Sequence, residues 1–185
     1  MKYKNVNFFR KYFDEFLIKI PQVEIDKLNK FISLIMDTKR KNKKLILVGN
    51  GGSAAMSSHV SVDLTKNAKI RSINFNEADL ITCFANDFGH QNWIKEAIRF
   101  YGDEGDLCIF ISSSGKSLNI LNGAKFAKKN KMKVVTFSGF SDANPLKKIG
   151  DINFWVNSDK YNIVEMTHHV WLLAVVDKIV GIKLK

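Results

Sequence analysis

Two short loops carry the residue types best suited to hold an anionic ligand. The first, Gly49-Asn50-Gly51-Gly52-Ser53-Ala54, follows the apolar run Leu45-Ile46-Leu47-Val48 and opens a helical pattern. Glycines let a backbone approach a ligand closely, and a helix N-terminus presents unpaired N–H groups that suit a negative charge. Ser53 is placed to cap that helix. The second loop, Ser112-Ser113-Ser114-Gly115-Lys116-Ser117, follows Leu107-Cys108-Ile109-Phe110-Ile111 and also precedes a helical pattern. Its four hydroxyls, with backbone amides at a helix start, can surround a phosphate with neutral donors. Two nucleotide-binding readings compete. A dinucleotide fingerprint requires glycine where this chain has Ala54, and only Glu77 stands near the place of its acidic ribose ligand. The Gly115-Lys116-Ser117 tail resembles a nucleoside-triphosphate loop, which requires glycine where this chain has Phe110. Without a ligand, each loop reads as an ordinary turn between a strand and a helix.

The elements that must position these loops follow from the apolar spacing. Val6, Phe9, Phe13, Phe16 and Leu17, then Ile25, Leu28, Phe31, Ile32 and Ile35, recur at helical intervals and predict two helices broken near Pro21. The period then shortens to β-rich runs at 45–48, 107–111, 134–137 and 152–156, with a weaker one at 70–75. Helical patterns at about 53–66, 91–101, 118–130 and 162–181 separate or follow them. Strands alternating with helices predict an α/β fold, a parallel sheet covered on both faces and joined by right-handed crossovers. Such sheets bind ligands outside the carboxyl ends of their strands, where both loops fall. No linker or repeat divides the chain, so one domain is expected, with N-terminal helices at about 5–40 and an α/β core at about 44–181.

A chain of 185 residues that is 45% hydrophobic can bury one sizeable core. Its net charge of +11 favours anionic partners without choosing among nucleic acid, membrane surface and phosphorylated metabolite. The lysines are scattered, and no aromatics interleave the one basic run at 39–44, so no nucleic-acid partner is expected. Cys83 and Cys108 sit in apolar runs without partners at metal or redox spacing, and read as buried thiols in a reducing compartment. No apolar stretch approaches the roughly 18 residues that span a bilayer, so no membrane partner and a cytoplasmic location are expected.

The glycine loop with Ala55 and His59, then Asn86-Asp87-Phe88-Gly89, then the serine loop, resemble in order and spacing the phosphoheptose isomerase branch of the sugar isomerase (SIS) family. The resemblance spans nearly the whole chain, from about residue 5 to about 181. It implies a doubly wound five-stranded parallel sheet, N-terminal helices packed between subunits, and a homotetramer with sites at subunit interfaces. It further implies that Ser112, Ser113, Ser114 and Ser117 hold a sugar phosphate, and that Asn50, Gly51, Gly52, Ser53, His59, Asn86 and Asp87 line the sugar. The activity implied is aldose–ketose isomerisation, of sedoheptulose 7-phosphate for lipopolysaccharide or capsule heptose. A non-catalytic phosphosugar-binding scaffold is the other outcome compatible with the family.

Isomerisation moves a proton between adjacent carbons and needs a base, with an acid or a metal serving the oxygens. In such family members a glutamate four residues after the histidine of the first core helix, and a histidine on the last helix, look like the acid–base pair. Together with a glutamine on that last helix they can also hold zinc. Here Asp63 stands in the glutamate's place, four residues after His59, while Val164 and Leu172 stand at the glutamine and the histidine. The zinc pattern is therefore incomplete, and no cofactor is expected. Glu165 and His168, with His169 beside them on the last helix, offer a relocated set. Asp63, Glu165 and His168 are the catalytic candidates, and interface or surface histidines on an amphipathic helix are the alternative for both His168 and His169. His90 reads as a solvent-facing histidine at a helix start, or else as one approaching a neighbouring subunit's sugar, and Tyr161 and Asn162, before the last helix, as caps or further ligands.

Overall fold

The structure is a computed structural model that describes residues 4–184, with side chains from Asn7 onward. Helix α1 (Lys4–Lys19) leads through a 3-10 turn at Ile20–Gln22, where Pro21 removes a helical N–H, into α2 (Ile25–Arg40). There follow β1 (Leu45–Val48), α3 (Gly52–Lys66), β2 (Ser72–Asn74), α4 (Ala78–Phe88), α5 (Trp93–Tyr101), β3 (Leu107–Ser112), α6 (Leu118–Lys129), β4 (Lys133–Ser138), a 3-10 turn at Leu146–Lys148, β5 (Ile152–Trp155) and α7 (Tyr161–Val180). The five strands form one parallel sheet in the order β2-β1-β3-β4-β5. This is the expected doubly wound architecture.

Strand alternation divides the core in two. Leu45, Leu47, Ile109, Val135, Phe137 and Phe154 face α2, α3 and α7, where Phe31, Met56, Val60 and Trp171 meet them. Ile46, Val48, Cys108, Phe110 and Val134 face α5 and α6, against Trp93, Ile94, Ile120 and Ala124. The strands of β1 and β3 are buried at every position, as a parallel sheet covered on both sides requires. Burying each such large side chain contributes about 1.5–3 kcal/mol before conformational entropy is subtracted.

Three features differ from expectation. Helix α4 is not among the expected helical patterns, yet Leu80, Ile81, Phe84 and Ala85 recur at helical spacing and rest half-buried on the second core. None of its residues is fully buried, so Cys83, expected inside, lies exposed on this helix, while Cys108 is buried as expected. Nor does Ser53 cap α3: Gly51 holds the N-cap position, and Ser53 sits buried in the first turn.

Candidate functional site

Strands β1 and β3 are neighbours, but the chain leaves them in opposite directions, toward α3 on one face and α6 on the other. This is the switch point of the sheet, and the glycine and serine loops stand on its two sides. A reciprocal amide pair spans the crevice between them. Asn50 Nδ2 donates to Asn119 Oδ1 at 3.1 Å, and Asn119 Nδ2 donates to Asn50 Oδ1 at 2.8 Å.

The serine loop is held from beneath. Ser112 and Ser113 are buried, and Ser114 and Ser117 are half-buried. The Ser112 hydroxyl donates to Ser117 Oγ at 3.3 Å, and Ser114 Oγ accepts the Lys116 N–H at 3.3 Å. Gly115 turns the loop at φ +63°, and the buried Asn144 carboxamide fills the space where a Cβ would stand. Asn144 is fixed in turn by the Lys147 N–H and by the Ser141 carbonyl, while the Gly139 N–H donates to Ser113 O. The Ser113 hydroxyl is buried without a hydrogen-bond partner among the described residues. A polar group left so is costly unless a ligand or water completes it.

Glu165, in the first turns of α7, lays its carboxylate against Gly52 at the start of α3. Only a residue without a Cβ lets it stand there. Burial raises the Glu165 pKa above the ordinary carboxylate range, and the nearby Ser113 hydroxyl, not in ordinary hydrogen-bond geometry, offsets part of that rise. Of the three catalytic candidates, Glu165 is the one that the structure brings between the two loops.

Asp63 lies elsewhere. Ten residues past Ser53 on α3, it is about 15 Å along the helix from the glycine loop at 1.5 Å per residue. Its Oδ2 meets His59 Nε2 at 3.3 Å, its Oδ1 accepts from Asn67 at 3.1 Å, and His59 Nδ1 pairs with His169 Nε2 at 3.0 Å. Burial and the neighbouring His59 lower the His169 pKa, and Asp63 offsets part of this. The chain of contacts runs Asp63–His59–His169, with both ring nitrogens of His59 engaged on opposite sides. Three donors strung out in this way do not converge on one ion. Among the described residues no group of three or more His, Cys, Asp or Glu side chains is placed to hold a metal ion. Val164 and Leu172, at the family's other ligand positions, are both in the core. Zinc as the family pattern would hold it does not fit these residues.

His168 is a correction to the catalytic set. It is 0% exposed, ringed by Phe137 and Trp171, with Nε2 at 3.0 Å from the Ser138 carbonyl. That contact makes Nε2 the protonated nitrogen. Burial lowers its pKa to about 4, against a smaller upward effect of the Ser138 carbonyl. A neutral ring with no surface exposed is a core residue.

Asn86 and Asp87 end α4 exposed and hydrogen-bonded to each other at 2.9 Å, with the Cys83 thiol 3.7 Å from Asp87. No hydrogen bond joins them to either loop among the described residues. His90 and Asn162 are exposed, and Tyr161 packs edge-on against Phe140. Asn119 and Asn144 escaped the sequence reading. Asn119 stands two residues beyond the serine loop, where an amide in the first turn of a helix invites suspicion; Asn144 has no comparable signal.

Comparison with known proteins agrees with this geometry. Residues 8–139 match the SIS domain family. The phosphoheptose isomerase of Buchnera aphidicola is 31% identical over 157 residues, which cover 82% of this chain and 81% of that protein. The solved phosphoheptose isomerases of Neisseria gonorrhoeae and Francisella tularensis superpose with TM-scores of 0.88 and 0.87, each at 21% identity over 97% of this chain and 98% of theirs. At that identity the two structures speak for the fold. With the sheet order, the two loops and the family match in agreement, the chain belongs to the SIS domain family, in its phosphoheptose isomerase branch.

Proposed function

We propose that this protein is an aldose–ketose isomerase of phosphorylated sugars that converts sedoheptulose 7-phosphate to a heptose 7-phosphate, a step toward lipopolysaccharide or capsule heptose. The observation that carries the reading is Glu165: a carboxylate of raised pKa, seated on Gly52 between a phosphate-shaped serine loop and a glycine loop. Curated relatives named phosphoheptose isomerase, at about 30% identity over most of the chain, supply the substrate class.

The serine loop holds the phosphate through Ser112, Ser113, Ser114, Ser117 and the first amides of α6. Asn50 and the backbone of Gly51 and Gly52 meet the sugar hydroxyls. Glu165 removes the proton from the carbon beside the carbonyl and returns it to the neighbouring carbon, through an enediol. A base whose pKa is raised toward neutrality suits both halves of that transfer. Asp63, about 15 Å along α3 from the glycine loop, is too far to meet the same sugar, and with its partner His59 serves the oxygens of a sugar bound by a second copy. A homotetramer with sites at its interfaces accommodates this, and exposed Phe8, Phe9, Phe13 and Leu17 on α1 support it. No metal takes part. The cytoplasm is its proposed place, which free Cys83 and Cys108 suit; no helix among the described residues is long and apolar enough to cross a membrane.

A phosphosugar-binding scaffold without turnover is the second reading, favoured by burial of Val164 and Leu172 where the family carries polar groups. Proton NMR with sedoheptulose 7-phosphate in deuterated water separates the two. Heptose 7-phosphate with deuterium at the carbon beside the carbonyl supports the isomerase; tight binding without exchange supports the scaffold.

A further inference from the structure

We infer that Asn119, which no family assignment given above includes, is the positioning residue that sets which way the Asn50 carboxamide faces the sugar; the inference rests on the isomerase reading of the same site.

A carboxamide looks nearly symmetric, but its two ends do opposite chemistry: the oxygen accepts and the nitrogen donates. An unrestrained Asn50 would present either end to a ligand. Its orientation is decided by a chain of contacts that begins at a group with no choice. The backbone N–H of Ile120 can only donate, and it donates to Asn119 Oδ1 at 3.0 Å. That makes Asn119 Oδ1 the acceptor end and leaves Nδ2 as the donor. Asn119 Nδ2 then donates to Asn50 Oδ1 at 2.8 Å, and Asn50 Nδ2 donates back to Asn119 Oδ1 at 3.1 Å. Asn50 is left with one N–H and one oxygen lone pair in defined places.

Burial makes the restraint firm. Asn119 is 2% exposed, so water does not compete for its amide, while Asn50 is half-buried and keeps a face open. The pair links residues 69 apart in the chain, one at the end of β1 and one in the first turn of α6. The loops leave the sheet on opposite faces, and this pair joins them across the crevice. Asn119 therefore acts through Asn50 and need not touch the sugar itself.

The test is a double-mutant cycle on the full chain, read as kcat and KM for sedoheptulose 7-phosphate, with thermal unfolding and inorganic phosphate affinity measured alongside. Asn119→Ala is expected to lower kcat/KM about tenfold, as for a lost buried hydrogen-bond pair. In an Asn50→Ala background the same change is expected to cost less than about twofold, because there is no amide left to orient. Asn119→Asp, nearly the same size, places an oxygen against Asn50 Oδ1 and is expected to impair kcat at least as much as alanine. Phosphate affinity, set by the serine loop, stays within about twofold. Equal losses from Asn119→Ala in both backgrounds, or an aspartate variant as active as wild type, overturn the inference. Should Asn119→Ala unfold, the aspartate variant alone decides. Absence of turnover in the wild-type protein contradicts the isomerase reading instead, and the cycle is then read on sugar-phosphate affinity, with the same additivity criterion.

Discussion

The carboxylate of Glu165 occupies the place beside Gly52 where any other residue would put its Cβ. One contact thus joins the first turn of α3 to the first turns of α7 and sets a partly desolvated acid between two ligand loops. Gly52→Ala should displace Glu165 and lower kcat by tenfold or more while phosphate affinity is kept, since the serine loop is untouched. Steady-state kinetics with calorimetric phosphate titration checks this; unchanged kcat would detach Glu165 from the chemistry.

Burial holds the Glu165 pKa above the usual carboxylate range, and the Ser113 hydroxyl favours its anion. The acid limb of kcat/KM should therefore fall above the ordinary carboxylate range, with activity rising as Glu165 loses its proton. Removing the hydroxyl in Ser113→Ala should push that limb to still higher pH. A limb that stays in place in this variant would show that another group sets it.

If the serine loop grips the phosphate, Ser114→Ala should weaken phosphosugar binding by about 1.5–3 kcal/mol, the scale of a hydrogen bond to a charged group. Affinity equal to wild type by calorimetry would remove Ser114 from the site.

His168 gives the fold a pH dependence of its own. Its pKa is about 4 when folded against 6.5 when free, so the unfolded chain takes up its proton first as pH falls. The stability contribution is whole above about pH 6.5 and is lost progressively down to about pH 4, amounting to about 3 kcal/mol. Urea unfolding between pH 7 and 4 should show this slope, and His168→Gln, which keeps a donor for the Ser138 carbonyl, should flatten it. The same slope in the variant would place the effect elsewhere.

Much of this was legible in the residues. The β-rich runs at 45–48 and 107–111 became β1 and β3, and ligand-type residues at their ends became the two loops, because a parallel sheet binds at that edge. Glu165 was singled out by its spacing, one turn before His168 and His169 on the last helix. His168 was left open between a ligand role and an interface or surface one, although Val164 and Leu172, one turn to either side, are apolar and buried in the core. Helix α7 is apolar around much of its circumference, so periodicity alone does not say which histidine turns inward. Cys83 was misplaced because an apolar run on α4 covers one side of α5 without being covered itself. The pairing of Asn50 with Asn119 depends on two loops meeting across the switch point, which no local pattern encodes.

Because His59, Asp63 and His169 form a hydrogen-bonded chain that does not converge on an ion, turnover should survive exhaustive chelation. Loss of activity on chelation, restored by zinc, would mean that these side chains rearrange around a metal.

The most direct test is the fate of sedoheptulose 7-phosphate with purified wild-type protein and with Glu165→Gln, followed by NMR in deuterated water. The account predicts heptose 7-phosphate and deuterium exchange beside the carbonyl with wild type, and phosphosugar binding without either in the variant. Full exchange and turnover by Glu165→Gln would contradict it.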